Sequence, residues 1–354
     1  MVTINGVLAT LATSVDDTVA TWGRASEHPE AESLLGSVAT DPHDFVLLND
    51  AFALDPLIVD IRPGVVVEDP LVVVHVVSGT EAMATFPRTV VRCGEGSRAS
   101  VVEITVDAGS GLLVEQPVLA TRVPVSPEHL VVPVTELVIA DSAQLAYLGI
   151  QALGSATWQI AHHASTIGAH ATLASFAVAL GGGYARLRTD SALVGTSGAS
   201  TLRAASVGRG HQMLDFRTLQ DHRAPKTTSD LLFRGAVADQ AHSVYSGLIR
   251  IARGAVRSNA MQTNNNLVLD EGAHADSVPN LDIEEHDVRC SHGSTVGPVD
   301  EDQRYYLESR GVEPAVAEQL IVAGFFQDIA GHVPVPGARA TVAEALAGRG
   351  AGRG

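Results

Sequence analysis

Residues 229–294 read SDLLFRGAVADQAHSVYSGLIRIARGAVRSNAMQTNNNLVLDEGAHADSVPNLDIEEHDVRCSHGS, and their punctuation decides the fold. A glycine followed by a small residue recurs at Gly235-Ala236, Gly254-Ala255, Gly272-Ala273 and Gly293-Ser294, at spacings of 19, 18 and 21 residues. Short strand-like runs at 229–233, 244–251, 266–269 and 282–289 lie between these pairs, and no helical period intervenes. Such spacing predicts the stacked coils of a β-solenoid, in which each rung packs only on its neighbours. A β-sandwich is the competing architecture. The run Asn264-Asn265-Asn266 fits a turn, where short amides bond to nearby backbone.

Strand texture begins upstream, at Phe45. Runs at 57–61, 65–67, 71–77, 89–92, 99–106 and 129–132 are rich in β-branched residues, with Gly64, Gly79, Gly94, Gly96, Gly109 and Gly111 between them. Alanines dilute the pattern from 140 to 180, where His162, His163 and His170 fall. Residues 1–43 read as a small N-terminal helical segment, with a helix from Asp16 to Ala25 and a stop at Asp41-Pro42. Beyond Gly297 the pattern is helical. Asp300 and Gln303 resemble a capping box, Gly311 a terminator, and Pro314 the first turn of a second helix. Val316, Leu320, Ile321 and Phe325 mark the apolar face of that second helix, and Thr341 with Glu344 opens a last one. The expected organisation is therefore an N-terminal helical segment (1–43), a β core (44–297), a C-terminal helical region (298–348) and a disordered tail (349–354).

Composition narrows the function. The chain has 354 residues, 45% hydrophobic and 4% aromatic, so its core must be built from Val, Ala, Leu and Ile. Net charge is −17 and Lys226 is the only lysine. No cluster of cations is available to displace counterions from a phosphate backbone, which excludes nucleic acid as an expected partner. Cys93 and Cys290 are too few for a disulfide framework and point to a reducing compartment. The first 17 residues lack the basic start and apolar centre of a signal peptide, and the longest apolar runs fall short of a membrane span. A soluble, cytoplasmic protein with no membrane partner is expected. No P-loop, nucleophile elbow, His-Glu-x-x-His or Cys-x-x-Cys motif occurs.

One pair carries potential metal chemistry. Cys290 and His292 stand at i and i+2, so on a strand both side chains share a face and can approach one soft metal ion or cluster edge. Two ligands are too few to hold a cluster, and the rest must come from another surface. The competing reading makes Cys290 a small buried hydrophobe and His292 a hydrogen-bonded turn residue. His211, His222, His242, His274 and His286 lack the spacing of a local zinc site. Arg203, Arg209 and Arg217 near Asp215 suit ion pairs within the rungs, and Cys93 reads as incidental. A solenoid of this kind can also serve as a polysaccharide lyase or hydrolase, with Asp215, Asp221 and Asp230 as the carboxylates. The shortage of aromatics for stacking sugars counts against it.

Read together, Cys290-Ser291-His292-Gly293-Ser294-Thr295-Val296-Gly297, Asp300-Glu301-Asp302-Gln303 and Tyr306-Leu307-Glu308-Ser309-Arg310-Gly311 resemble the terminal signature of the SufB/SufD family, components of the SUF iron–sulfur cluster assembly system. Upstream pieces agree in order: Phe45 with Leu48-Asn49-Asp50-Ala51-Phe52, Pro87-Arg88, His222 with Ser229, Tyr245-Ser246-Gly247, and Gln262 with Asn266-Leu267. The resemblance covers about residues 44 to 329. It favours SufD over SufB: SufB-like chains read His-Glu-Ala where Ser291-His292-Gly293 stands, and carry a sulfur-transferring cysteine in rungs that here, from 250 to 281, have none. The N-terminal region looks shorter than is usual for SufD.

This likeness implies a right-handed parallel β-helix core with helical regions at both ends. It also implies a non-catalytic scaffold that pairs with SufB through the last β-helix strands and docks the ATPase SufC on its C-terminal helices; a homodimer is the alternative assembly. In that picture His292 faces the partner and is a candidate ligand for a transient iron–sulfur cluster shared between chains, with Cys290 as its neighbour, and the isolated chain holds no permanent cofactor.

Overall fold

The computed structural model describes residues 1–10, 16, 18–39, 43–108 and 129–351. The expected stop at Asp41-Pro42 and the turn at Gly109-Ser110-Gly111 lie outside them, as do residues 352–354.

The chain winds into a parallel β-solenoid of about eight turns, mainly strand, with small helical regions towards both ends. Each full turn gives one strand to a ten-stranded sheet and one to an eleven-stranded sheet. In the first sheet Gln144 pairs with Thr172, Thr172 with Ala199, Ala199 with Thr228, Thr228 with Asn259 and Asn259 with Arg289, so a turn takes 27 to 31 residues. The glycine spacing near twenty is therefore not the length of a coil. Gly235 and Gly293 lie inside strands, whereas Gly254 and Gly272 lie in connections. The solenoid is there, but its repeat is marked by other residues.

Those residues sit at one corner. Ser142, His170, Ser197, Lys226 and Arg257 occupy successive turns with φ between 57° and 61°, a region costly for residues with a Cβ. The backbone N–H of each donates to a carbonyl one turn further on, at Ala169, Thr196, Pro225, Val256 and Asp287, over 2.5–3.1 Å. A stacked row of these bonds offsets the conformational cost at every turn.

Inside the coil, in-register strands stack like side chains into columns. One column in the eleven-stranded sheet runs Ile61, Cys93, Ile139, Ile167, Leu193, His222, Ile251 and Ile283. Cys93 is thus a core residue, and burial pushes its thiol up to about 12. Region 140–180, ambiguous by pattern, forms the regular strands Gln144–Ala152, Thr157–Ile167 and Thr172–Ala179. The asparagine run is not a turn. It lies in the strand Asn259–Val268, where Asn264 and Asn266 point inward and bond to each other at 2.7 Å, while outward Asn265 accepts from Thr295.

The N-terminal helix from Asp16 to Ala25 is also corrected. Residues Ala20–Arg24 form a strand antiparallel to Leu57–Ile61, because pairing with a sheet edge outweighs a weak local helical preference. Among the described residues the α-helices of this region are Ala31–Leu34 and Asp44–Phe52, and Val2–Ile4 and Val7–Thr10 form an antiparallel pair on the other sheet. Buried Glu136 ties the segment to the coil: its carboxylate accepts from the N–H groups of Gly36, Val38 and Ala39 and from Arg88 Nη2 at 2.6 Å. Arg88 also bonds Asn49 and Asp50, and Asn49 donates to the carbonyls of Pro87 and Val132. The distant motif pieces Asn49-Asp50 and Pro87-Arg88 are thus one hydrogen-bonded junction.

At the other end, Asp300 caps the helix Glu301–Ser309 by accepting from the N–H groups of Asp302 and Gln303 at 2.9 and 3.0 Å, and Gly311 follows with φ 86°. The helix Pro314–Ala330 buries Val322, Phe326 and Ile329 on the outer face of the ten-stranded sheet, against Leu148, Phe176, Val178 and Val207. Val316 and Leu320, expected on its apolar face, are instead exposed, because the sheet touches the adjacent stripe. The last helix, Arg339–Ala351, extends into the expected tail, and Arg209 donates to its terminal carbonyls at Arg349 and Gly350.

Two stability measurements test this scheme. Replacing Glu136 by Ala takes the buried carboxylate away from Arg88 and leaves the Val38 and Ala39 N–H groups unpaired in the interior, and urea unfolding is expected to show a loss of about 3–5 kcal/mol. His222 is buried with Thr227 on Nδ1 and Ser229 on Nε2, and burial lowers it to about 4, so it is neutral in the folded protein at pH 7. The unfolded chain takes up that proton first, so His222 makes stability fall as pH drops from about 6.5 towards 4, by up to about 3 kcal/mol. Unfolding curves across that range should lose this part of their slope in His222→Gln.

Candidate functional site

The two ends of the coil differ. At the first, antiparallel strands reverse the chain and cover both sheets. At the last, Arg289–Gly297 is the outermost strand of one sheet and His274–Ile283 of the other, and among the described residues neither has a neighbour on its outer side. Residues with inward parity are consequently left open to solvent. Ile283 ends the isoleucine column at 41% exposure, Leu281 stands above buried Ile249 at 39%, and Val296 above Asn266 at 43%. Exposed edges with apolar inner faces are a template for further pairing.

Cys290 and His292 belong to this edge. Cys290 stands in register with Ala260 and His292 with Gln262, both buried inward positions, so the pair shares the interior-facing side as the i, i+2 spacing requires. Their surroundings differ. Cys290 is half-buried against Ile249, Ile251, Ala255 and Ala260, and burial raises its thiol above the ordinary range. It is a protonated packing residue in the isolated chain, and ligation would require loss of that proton. His292 is exposed. Among the described residues no group of three or more His, Cys, Asp or Glu side chains converges on a metal position. The edge offers two ligands at most.

The polar rung directly beneath was not singled out as a site by sequence reasoning. Gln262, Asn264 and Asn266 are all buried, above a rung that presents Leu231 and Phe233 at the matching positions. Among the described residues Gln262 has no partner on either amide atom, an arrangement that costs on the order of 1–3 kcal/mol per orphaned group. The signal was present in the alternation Gln262-x-Asn264-x-Asn266, which marks one face of a strand. Deeper in the coil, buried Glu103 accepts from His75 Nε2 at 2.9 Å, Thr135 at 2.7 Å and Tyr147, beside a cavity of about 40 Å³. That volume holds a few waters at most, and its carboxylate is already satisfied.

The three carboxylates of the polysaccharide reading do not converge. Asp215 is buried under Arg217 and Tyr184, and Asp221 pairs with Arg223, both on the eleven-stranded sheet; Asp230 pairs with Arg203 on the other. Past the edge, Glu301–Ser309 and Pro314–Ala330 enclose an open groove of about 460 Å³ lined by Asp300, Asp302, Gln303, Tyr306, Leu307 and Ile321. Tyr305, Tyr306, Val316 and Leu320 are exposed on the same two helices. No helix among the described residues is long and apolar enough to cross a membrane.

Comparison with known proteins gives the family. Residues 75–325 match the family model "SUF system FeS cluster assembly, SufBD core domain". An iron–sulfur cluster assembly SufBD family protein of Mycobacterium tuberculosis is 35% identical over 219 residues, covering 60% of this chain and 55% of that protein. The iron–sulfur cluster assembly protein SufD of Escherichia coli is 27% identical over 288 residues, 80% of this chain and 64% of its own length. SufD of Bacillus subtilis is 26% identical over 304 residues, 85% and 66% respectively. The chain thus spans about half to two thirds of the curated relatives it matches. With a core-domain match over most of its length, the chain belongs to the SufB/SufD family of the SUF system and is most like SufD.

Proposed function

We propose that this chain is a non-catalytic scaffold subunit of an iron–sulfur cluster assembly complex. It pairs with SufB by continuing both sheets across the free edges at Arg289–Gly297 and His274–Ile283. The observation that carries this reading is the uncovered end of the coil, where inward-facing Leu281, Ile283 and Val296 are exposed beside His292. A second open edge of the same curvature would complete the ladder, bury these side chains, and bring its own ligands opposite His292.

The cluster is cargo in this scheme. His292 supplies one nitrogen ligand from this side, and the partner supplies the others. Cys290, half-buried and protonated, is the weaker candidate and becomes a ligand only if opening of the interface exposes it. The exposed residues of the two C-terminal helices, Tyr305, Tyr306, Val316 and Leu320, form the surface on which the ATPase SufC docks. Because Pro314–Ala330 packs on the outer sheet through Phe326 and Ile329, and Arg234 grips its Phe325 carbonyl and Asp328, movement of a docked ATPase would be transmitted into the coil. The interface would then open for cluster formation and close around the product.

Two outcomes are expected. In the complex reconstituted with SufB and SufC, His292→Ala should lower the yield of assembled cluster at least tenfold while leaving subunit assembly intact; a normal yield would remove His292 as a ligand. Leu281→Arg places a charge at the centre of the proposed pairing face, and sedimentation should show SufB binding weakened by about tenfold or more. Unchanged binding would place the partner elsewhere.

A further inference from the structure

The rung beneath the free edge contains a residue that the fold alone does not account for. In the ten-stranded sheet one inward column runs Leu202, Leu231, Gln262 and His292, changing from leucine to a carboxamide immediately below the edge histidine. Gln262 has no exposed surface, yet among the described residues neither its Oε1 nor its Nε2 meets a hydrogen-bond partner. Its neighbours on the same face behave otherwise, since Asn264 and Asn266 bond to each other. Space for the Gln262 amide is provided by Gly247 on the opposite sheet, where a Cβ would stand 2.4 Å from Gln262 Nε2 and equally close to the Tyr245 hydroxyl. A leucine, as in the two rungs below, would occupy this place without burying unsatisfied polar atoms.

We propose that Gln262 is a positioning residue for the edge site, supporting the His292 imidazole, and the cluster it holds, from the interior side. The inference rests on His292 being a ligand at a shared interface. Neighbouring strands are spaced about 4.8 Å apart, so the side chains of Gln262 and His292 stack one above the other in register. A carboxamide carries both a donor and an acceptor. It can therefore fix either imidazole tautomer, and its N–H groups can donate to a cluster sulfur. In the separated chain these groups destabilise the fold; their gain comes when the partner closes over the edge.

The test uses Gln262→Met, close in length, and Gln262→Leu, which copies the rungs below. In both, the thermal unfolding midpoint of the chain should stay the same or rise, and SufB binding should be unchanged. Cluster yield in the complex with SufB and SufC, supplied with iron and sulfide, should fall about tenfold, with a shifted absorption spectrum of whatever cluster forms. Combining either change with His292→Ala should give no loss beyond that of His292→Ala alone, a non-additivity that a merely structural role would not produce. Normal yield and spectrum in both Gln262 variants, while His292→Ala is defective, overturn the positioning role alone. Additive losses, or a lowered unfolding midpoint in both variants, overturn it as well, by showing that the amide serves the fold. Normal yield in His292→Ala overturns the edge site itself and this inference with it.

Discussion

The parallel backbone ladder governs this molecule. Each strand in such a ladder satisfies its N–H and C=O groups on two neighbours, so a coil can grow along its axis but cannot close on itself. It must therefore have two ends, and each end exposes the edges of both sheets. At the N-terminal end the edges are covered by strands that run the other way, Val7–Thr10 beyond Val2–Ile4 on one sheet and Ala20–Arg24 on the other, both held by Asp55, whose carboxylate accepts from the Leu8 N–H and from Arg24 Nε. At the C-terminal end the last strands are left with inward-facing side chains in the open. The asymmetry of the two ends organises the rest, including where chemistry can be placed.

Local signals in the sequence were legible and long-range ones were not. Asp300 as a cap, Gly311 as a terminator and Pro314 in a first turn depend on bonds within a few residues, and they stand where the sequence puts them. The solenoid was recognised through Gly235, Gly254, Gly272 and Gly293, although these occupy unlike places in the coil. Its true repeat, the left-handed corner at Ser142, His170, Ser197, Lys226 and Arg257, has no common chemistry, because the corner is held by a backbone N–H that any of these residues can donate. The misplaced Asp16–Ala25 helix and the rotated face of Pro314–Ala330 share one cause. In both, a neighbouring sheet decides which residues are covered, and no short window of sequence contains that sheet.

The placement of the candidate site was legible to the same degree. Parity alone placed Cys290 and His292 on one face, and their in-register partners Ala260 and Gln262 bear it out. What the two residues could not reveal is that the face belongs to the last turn, so that identical parity buries Gln262 and exposes His292. Matching motif pieces that seemed scattered are physical partners: Asn49 and Asp50 with Arg88, His222 with Ser229, and Gly247 giving room to Gln262. They read as separate words because the coil, rather than the chain, brings them together.

A two-ligand edge is a poor metal site by itself, and in the proposed function that weakness would suit a transient cargo. A site with a complete ligand set would hold its metal without a partner, whereas in the proposed complex His292 and a protonated Cys290 would offer too little to retain a cluster once the opposing surface withdrew. The ladder also solves the problem of alignment. Two coils that share backbone hydrogen bonds must meet at a fixed register, and slipping by one residue would turn His292 to the outer face. In the proposed complex, sheet continuation would therefore set both the orientation and the height of the imidazole, and the buried Gln262 would set its rotation. Forming the interface and assembling the site would then be one event, and any force that parts the strands would dismantle both together.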